Sequence, residues 1–149
     1  MKNRFIKVIY VVFGVYMIIL LRITVFRNGF SFSHMFRNGV ITFDFFTGYL
    51  EMLRQGMFYE FIYLFVGNII WFVPFGFLLP CLCERPLTFR RVLFRGFLLS
   101  FTIELMQFAF GTGISEVDDL ILNTLGALLG FCLNRLLPGL KRRGENNNE

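Results

Sequence analysis

The sequence predicts an all-α, polytopic membrane protein: a four-transmembrane-helix bundle with a structured first outer loop. Three observations carry that expectation. The 149 residues are 56% hydrophobic, with 22 Phe and a mean hydropathy of +0.63, more apolar surface than a soluble globule of this length can bury. Four apolar runs have the length needed to cross a bilayer. Basic residues gather at alternate ends of those runs, so the net charge of +5 is first a statement of topology. No basic stripe with interleaved aromatics marks a nucleic-acid surface, and nucleic acid is not an expected partner.

The first run is Phe5 to Leu21. Lys2, Arg4 and Lys7 precede or open it as in a secretory leader, but no small-residue cleavage site follows, so it is expected to remain as the first helix. The connection 22–58 is long for a loop and should carry structure of its own. "FRNG" occurs twice within it, and the alternation in "ITFDF" suits a small hairpin around Asn38 and Gly39. "YLEMLRQ" suits a short amphipathic helix lying at the headgroups. His34, the one histidine, is expected to be solvated there.

Tyr59 to Leu82 forms the second span. Within "NIIWFVPFGFLLP", Pro74 removes a helix hydrogen bond and should bend or interrupt the helix, with Gly76 easing the distortion. Val92 to Phe110 and Val117 to Leu137 complete the set, joined by "GTGISEV", which contains no Lys or Arg. Arg85, Arg90 and Arg91 lie between spans two and three, and Lys141, Arg142 and Arg143 follow the fourth. With the amino-terminal basic group these fall on one side, which predicts cytoplasmic termini and a polar cytoplasmic tail over 141–149. Arg22, Arg27, Arg37 and Arg54 in the first loop run against that bias.

Inside these greasy segments stand residues the bilayer does not favour. Counting 1.5 Å per residue from the outer ends, Glu104 and Asn123 lie about 9 Å deep and Asn68 about 13 Å deep. Three helices therefore bring polar groups to a similar outer-half depth. Ser100, Glu104 and Gln107 share one face of the third span; Asp119, Asn123, Gly126 and Gly130 share one face of the fourth, and the two faces are expected to meet. A carboxylate in hydrocarbon costs about 2.5–3.5 kcal/mol on insertion scales, so Glu104 should face protein or water, protonated or paired with a cation, for which Arg22 is best placed. Ser115 with Asp118 resembles a helix cap, and Glu116, Asp118 and Asp119 suit a first turn, where negative charge complements the helix dipole. Gly126 and Gly130, four apart, are expected to serve close helix packing.

Cys81, Cys83 and Cys132 are odd in number and lack metal-ligand spacing with His34, so neither a disulfide framework nor a metal or other cofactor is expected. Phosphate-cradling glycine loops and nucleophile signatures are also missing.

Asn68 with "WFVPFG" (Trp71 to Gly76), "SFTIELMQ" (Ser100 to Gln107) and "EVDDLILNTLGALLG" (Glu116 to Gly130) together resemble the signature of the VanZ-like family, in order and spacing, over roughly the second half of the chain. The resemblance implies one VanZ-like membrane domain over residues 1–140 of a bacterial cell-envelope protein. It also implies a link to glycopeptide-antibiotic resistance, because the name-giving member lowers susceptibility to teicoplanin. Three functions follow as expectations. The first is a polar pocket, open outward, that engages an amphiphile: membrane lipid, a lipid-linked cell-wall precursor or a lipoglycopeptide. The second is an intramembrane enzyme using Glu104 with Asp118 or Asp119 as acid and base. The third is a proton-linked transporter using Glu104 as carrier, which four helices would support best as a homo-oligomer.

Overall fold

The computed structural model describes residues 2–26, 40–43, 45–83, 85–112 and 114–137. In chain order these form α1 (Lys2–Thr24), β1 (Val40–Thr42), α2 (Thr47–Arg54), α3 (Phe58–Leu82), α4 (Phe89–Phe110), β2 (Ile114–Glu116) and α5 (Val117–Leu136). Four of the helices are long and apolar enough to cross a membrane: Ile6–Thr24, Phe58–Leu82, Phe89–Phe110 and Val117–Leu136. The protein is therefore an all-α four-helix membrane bundle, and large apolar side chains such as Val11, Ile18, Ile62, Phe94 and Leu129 are left on its outside for acyl chains to cover.

Several helix ends differ from expectation by a few residues, and two of them have a visible cause. Helix α1 continues past Leu21 through Arg22 to Thr24, whose hydroxyl bonds back to the Leu20 carbonyl at 2.8 Å. Helix α4 begins at Phe89 rather than Val92, because Thr88 caps it by accepting the Arg91 N–H. Counting apolar residues alone misses such charged first turns. At its other end α4 stops at Gly111, whose left-handed φ of 60° lets its N–H close onto the Gln107 and Phe108 carbonyls.

Helix α5 is the hub of the bundle, with its broadest contact to α3 and the next to α4. The α3 contact is backbone on backbone. A Cβ on Gly126 would lie 2.1 Å from the Ile69 carbonyl oxygen, one on Gly130 2.0 Å from that of Val73, and one on Gly76 1.7 Å from that of Ala127. Close packing is thus what Gly126 and Gly130 provide, but towards α3 and not towards α4. Gly76 belongs to the same seam, so its small size serves packing instead of easing a distortion at Pro74. Nor is the second span interrupted: α3 runs unbroken through Pro74 and Pro80. Phe72, Phe75, Leu20, Ile103 and Ala127 fill the core between the helices. Asn134 fastens the far end of the seam by donating to the Phe77 carbonyl at 2.9 Å. Helix α1 leans on α3, where the Tyr16 hydroxyl donates to the Trp71 carbonyl at 2.7 Å.

The connection between α1 and α3 has structure, though its pairing is unexpected. Val40–Thr42 forms a parallel two-stranded sheet with Ile114–Glu116, in the register Val40 to Ile114, Ile41 to Ser115 and Thr42 to Glu116. The hairpin turn expected at Asn38 and Gly39, together with His34 and the tail 141–149, lies outside the described residues. The short helix expected over "YLEMLRQ" is α2, and Tyr49 is its buried anchor. The Tyr49 ring meets Phe65 edge-on with centroids 5.4 Å apart, and Phe61 likewise at 6.1 Å.

Candidate functional site

The polar residues of the spans gather at one end of the bundle, where α1 and α4 finish and α3 and α5 start. Asn68 of α3 donates to Asp119 Oδ1 of α5 and, at 3.4 Å, to the Tyr49 hydroxyl of α2. That hydroxyl in turn donates to Asp119 Oδ1 at 3.4 Å. On the other flank of α5, Asn123 donates to Ser100 Oγ of α4 at 2.9 Å, and Ser100 passes its own hydrogen to the Asp119 carbonyl at 3.4 Å. Three spans and the short helix α2 are therefore tied through Asp119 and Asn123, one helical turn apart on α5. Ser100 is fully buried and Asn123 nearly so, which is where a satisfied polar network confers the most order.

Glu104 has a separate task. It is 4% exposed, and its Oε2 accepts the Glu116 N–H at 3.0 Å while its backbone carbonyl accepts the Ser115 hydroxyl at 3.2 Å. Glu116 is the N-cap of α5 and makes no side-chain cap bond. A carboxylate reaching the N-cap N–H is half of a capping box, normally supplied from the helix's own first turn; here α4 supplies it. The cap expected of Ser115 and Asp118 is not formed, since Ser115 turns to Glu104. Asp118 Oδ2 instead accepts the Phe46 N–H at 2.8 Å, holding α2 from 72 residues away in sequence. Phe46 is the one described non-glycine residue with positive φ, 53°. That conformation costs about 1–3 kcal/mol and persists only where its surroundings fix it. Asp118 and the ring packing of Phe46 on Tyr49 and Phe65 do so.

The structure does not pair Arg22 with Glu104: the Arg22 guanidinium donates to the Phe26 carbonyl. Gln107 also turns away from α5, donating to the Thr24 carbonyl of α1 at 3.1 Å. The expected meeting of faces therefore holds for Ser100, Glu104, Asp119 and Asn123. It fails for Gln107 and for the two glycines, because α5 is gripped from both sides and α1 covers the far edge of α4.

Beside this network lies a cavity of about 920 Å³, walled by all four spanning helices, α2 and both strands, whereas Ser100 is buried behind its wall. Asn68, Glu104, Gln107, Asp119, Asn123 and Arg22 all contribute to its wall. Tyr49 and Gly67, which sequence reasoning did not assign to a site, also line it, as does Trp71, which it quoted only as part of the family signature. Gly67 had a signal: a glycine in a spanning helix, directly before Asn68, whose absent Cβ would meet nothing within 4 Å. Packing gives no reason for it, whereas open space beside it does.

Two acidic or phenolic groups outside the spans are displaced in proton affinity. Burial, and next the Asp119 carboxylate, push the Tyr49 phenol well above its usual range, so it remains a neutral donor. Burial, then the Asp118 carboxylate, raises Glu116 above its ordinary 4.5. The folded protein thus holds the Glu116 proton more tightly than the unfolded chain does, and stability falls as pH rises from the unfolded towards the folded value. Glu116→Gln leaves the main-chain N–H for Glu104 intact. It is expected to flatten that fall and raise stability at neutral pH, read as thermal midpoints in detergent from about pH 4 to about pH 8. A pH profile unchanged by the substitution would contradict this.

The family model for VanZ/LLP1 matches residues 8–138. A 76-residue stretch is 37% identical to Protein VanZ of Enterococcus faecium, covering 46% of this chain and 42% of that relative, so less than half of the relative's length is matched. No solved structure matches the chain. The family match reaches all four spans and every residue described at the cavity, and the chain belongs to the VanZ/LLP1 family.

Proposed function

We propose that this membrane protein lies with both termini in the cytoplasm and uses the cavity, opening towards the outer leaflet, to engage an amphiphile. The ligand is a lipid-linked cell-wall precursor or an acylated glycopeptide such as teicoplanin, and engagement gives low-level resistance to the drug. The observation that carries the reading is a roomy space at the end of the bundle where α1 and α4 finish, with carboxyl and amide groups set among apolar ones in its wall. A bundle stabilised only by packing would close such a space or fill it with apolar side chains. The basic clusters support the orientation, since "GTGISEV" contains neither Lys nor Arg and follows the end of α4 remote from Arg90 and Arg91. The name of the Enterococcus faecium relative supports the link to glycopeptides. The acid–base and transport alternatives draw on the same wall, but two of its acids, Glu104 and Asp118, each have a carboxylate oxygen engaged by a main-chain N–H.

Gly67→Leu tests the pocket. Its side chain enters open space, and leucine in place of a mid-helix glycine gains somewhat less than the ~0.8–1.0 kcal/mol of helix preference that alanine would, so the variant should insert and fold as well as the parent. Protection against teicoplanin, and binding of a fluorescent teicoplanin derivative to purified protein, are expected to drop at least about tenfold. Full protection by a well-inserted Gly67→Leu protein would remove the pocket from the mechanism. Labelling of cysteines placed at Glu116 and Arg90 from opposite membrane faces, with the former external, checks the orientation.

A further inference from the structure

Resting on that reading of the cavity, we infer that the part of the ligand received inside it is an ammonium group and not a phosphate. Among the described residues the wall carries four carboxyl side chains, those of Glu104, Glu116, Asp118 and Asp119, against the single guanidinium of Arg22. Arg22 is exposed and already donates to the Phe26 carbonyl. Asp118 is 5% exposed, and its Oδ1 is buried without a hydrogen-bond donor among the described residues. A buried carboxylate oxygen left without a donor is costly unless something supplies one.

The rest of the wall suits a cation as well. Tyr49, Tyr63 and Trp71 border the same space, and aromatic faces beside carboxylates are the usual surroundings of an ammonium ion, attracted by ring quadrupole and charge together. Burial first, and then the charge of neighbouring Asp118, hold Glu116 in its protonated form to higher pH. An entering ammonium offsets that charge, whereas a phosphate adds to it. Gly67 supplies the room, since nothing stands within 4 Å of where its Cβ would be. The shared chemistry has two sources: the aminoethyl headgroup of a membrane lipid, or an amine on an acylated compound arriving from solution.

The test uses the full chain in uncharged dodecyl maltoside micelles, with hexadecylammonium, hexadecyl phosphate and hexadecanol as chain-matched probes. Hexadecylammonium is expected to bind at least about tenfold more tightly than either of the others, and to lose that advantage in the Glu104→Gln, Asp119→Asn double variant. Gly67→Leu should abolish its binding. Lipid co-purified from mixed phosphatidylethanolamine and phosphatidylglycerol nanodiscs identifies the source: enrichment of phosphatidylethanolamine points to the headgroup, and its absence, with hexadecylammonium still bound, to a compound from solution. Equal or tighter binding of hexadecyl phosphate, still blocked by Gly67→Leu, overturns the ammonium preference and leaves the pocket standing. Binding of no probe in a Gly67-dependent way removes both. Should the double variant fail to fold, the parent protein's ratio of ammonium to phosphate affinity decides alone.

Discussion

Gly130→Ala is expected to unfold the bundle or to leave it too unstable to purify. The added methyl carbon would lie 2.0 Å from the Val73 carbonyl oxygen and 2.8 Å from the Phe77 nitrogen. Both are main-chain atoms of a spanning helix, so no rotamer change relieves the overlap, and α3 and α5 must separate by more than about an ångström. The seam does not yield locally, because Gly126 against Ile69 and Gly76 against Ala127 are equally tight. Overpacking of a core costs about 1–3 kcal/mol where side chains can adjust; here the loss should reach the upper end of that range or exceed it. Thermal midpoint in mild detergent and yield from membranes measure it. Gly14→Ala is the control, since its Cβ meets nothing within 4 Å on the lipid-exposed first span. It should leave the midpoint unchanged or raise it slightly. A Gly130→Ala protein that melts with the parent would show that α3 and α5 are not in this contact.

The contrast between those two glycines marks how far the sequence could be read. The four spans were legible because a bilayer demands roughly twenty apolar residues in a row, a signal that survives even where the bounds shift by a turn, as at Thr88 and Thr24. Depth counting from the span ends also brought Asn68, Glu104 and Asn123 to one level, and all three border the cavity. Helical periodicity then says which residues share a face, but not which neighbour that face meets. Gly126 and Gly130 share a stripe with Asn123, yet the glycines meet α3 while Asn123 bonds across to Ser100 of α4. A helix packed on two sides turns parts of one stripe to different partners.

Other features left almost no trace in the sequence. Strands of three residues are too short for a period, and the pairing of Val40–Thr42 with Ile114–Glu116 joins segments far apart in the chain. Tyr49 read as part of an interfacial helix; its hydroxyl reaches Asp119 only because α2 folds back over α3. Asp118 looked like a helix-dipole residue, which its place in the first turn of α5 supports, but its hydrogen bond goes to Phe46. Local rules assign acids at a helix start to that helix. In this protein two of the acids at the junction, Glu104 and Asp118, bind the main chain of other segments.

That arrangement separates what a carboxyl at Glu104 does by shape from what it does by charge. Glu104→Gln keeps an amide oxygen where Oε2 accepts the Glu116 N–H, so the cap on α5 and the register of β2 should survive, with stability within about 1 kcal/mol of the parent. Glu104→Ala removes the acceptor from a buried position, at a cost of about 1–3 kcal/mol for the unsatisfied N–H alone. Because this bond links α4 to the start of α5, the loosened junction should also show faster amide exchange at Ser115, Glu116 and Val117. Chemical denaturation and hydrogen exchange on the two variants measure both effects. If alanine is tolerated as well as glutamine, the Glu104 bond does not hold the junction. If glutamine preserves the junction but abolishes the proposed protection against teicoplanin, the charge of Glu104 acts on the proposed ligand and the hydrogen bond serves only to aim it.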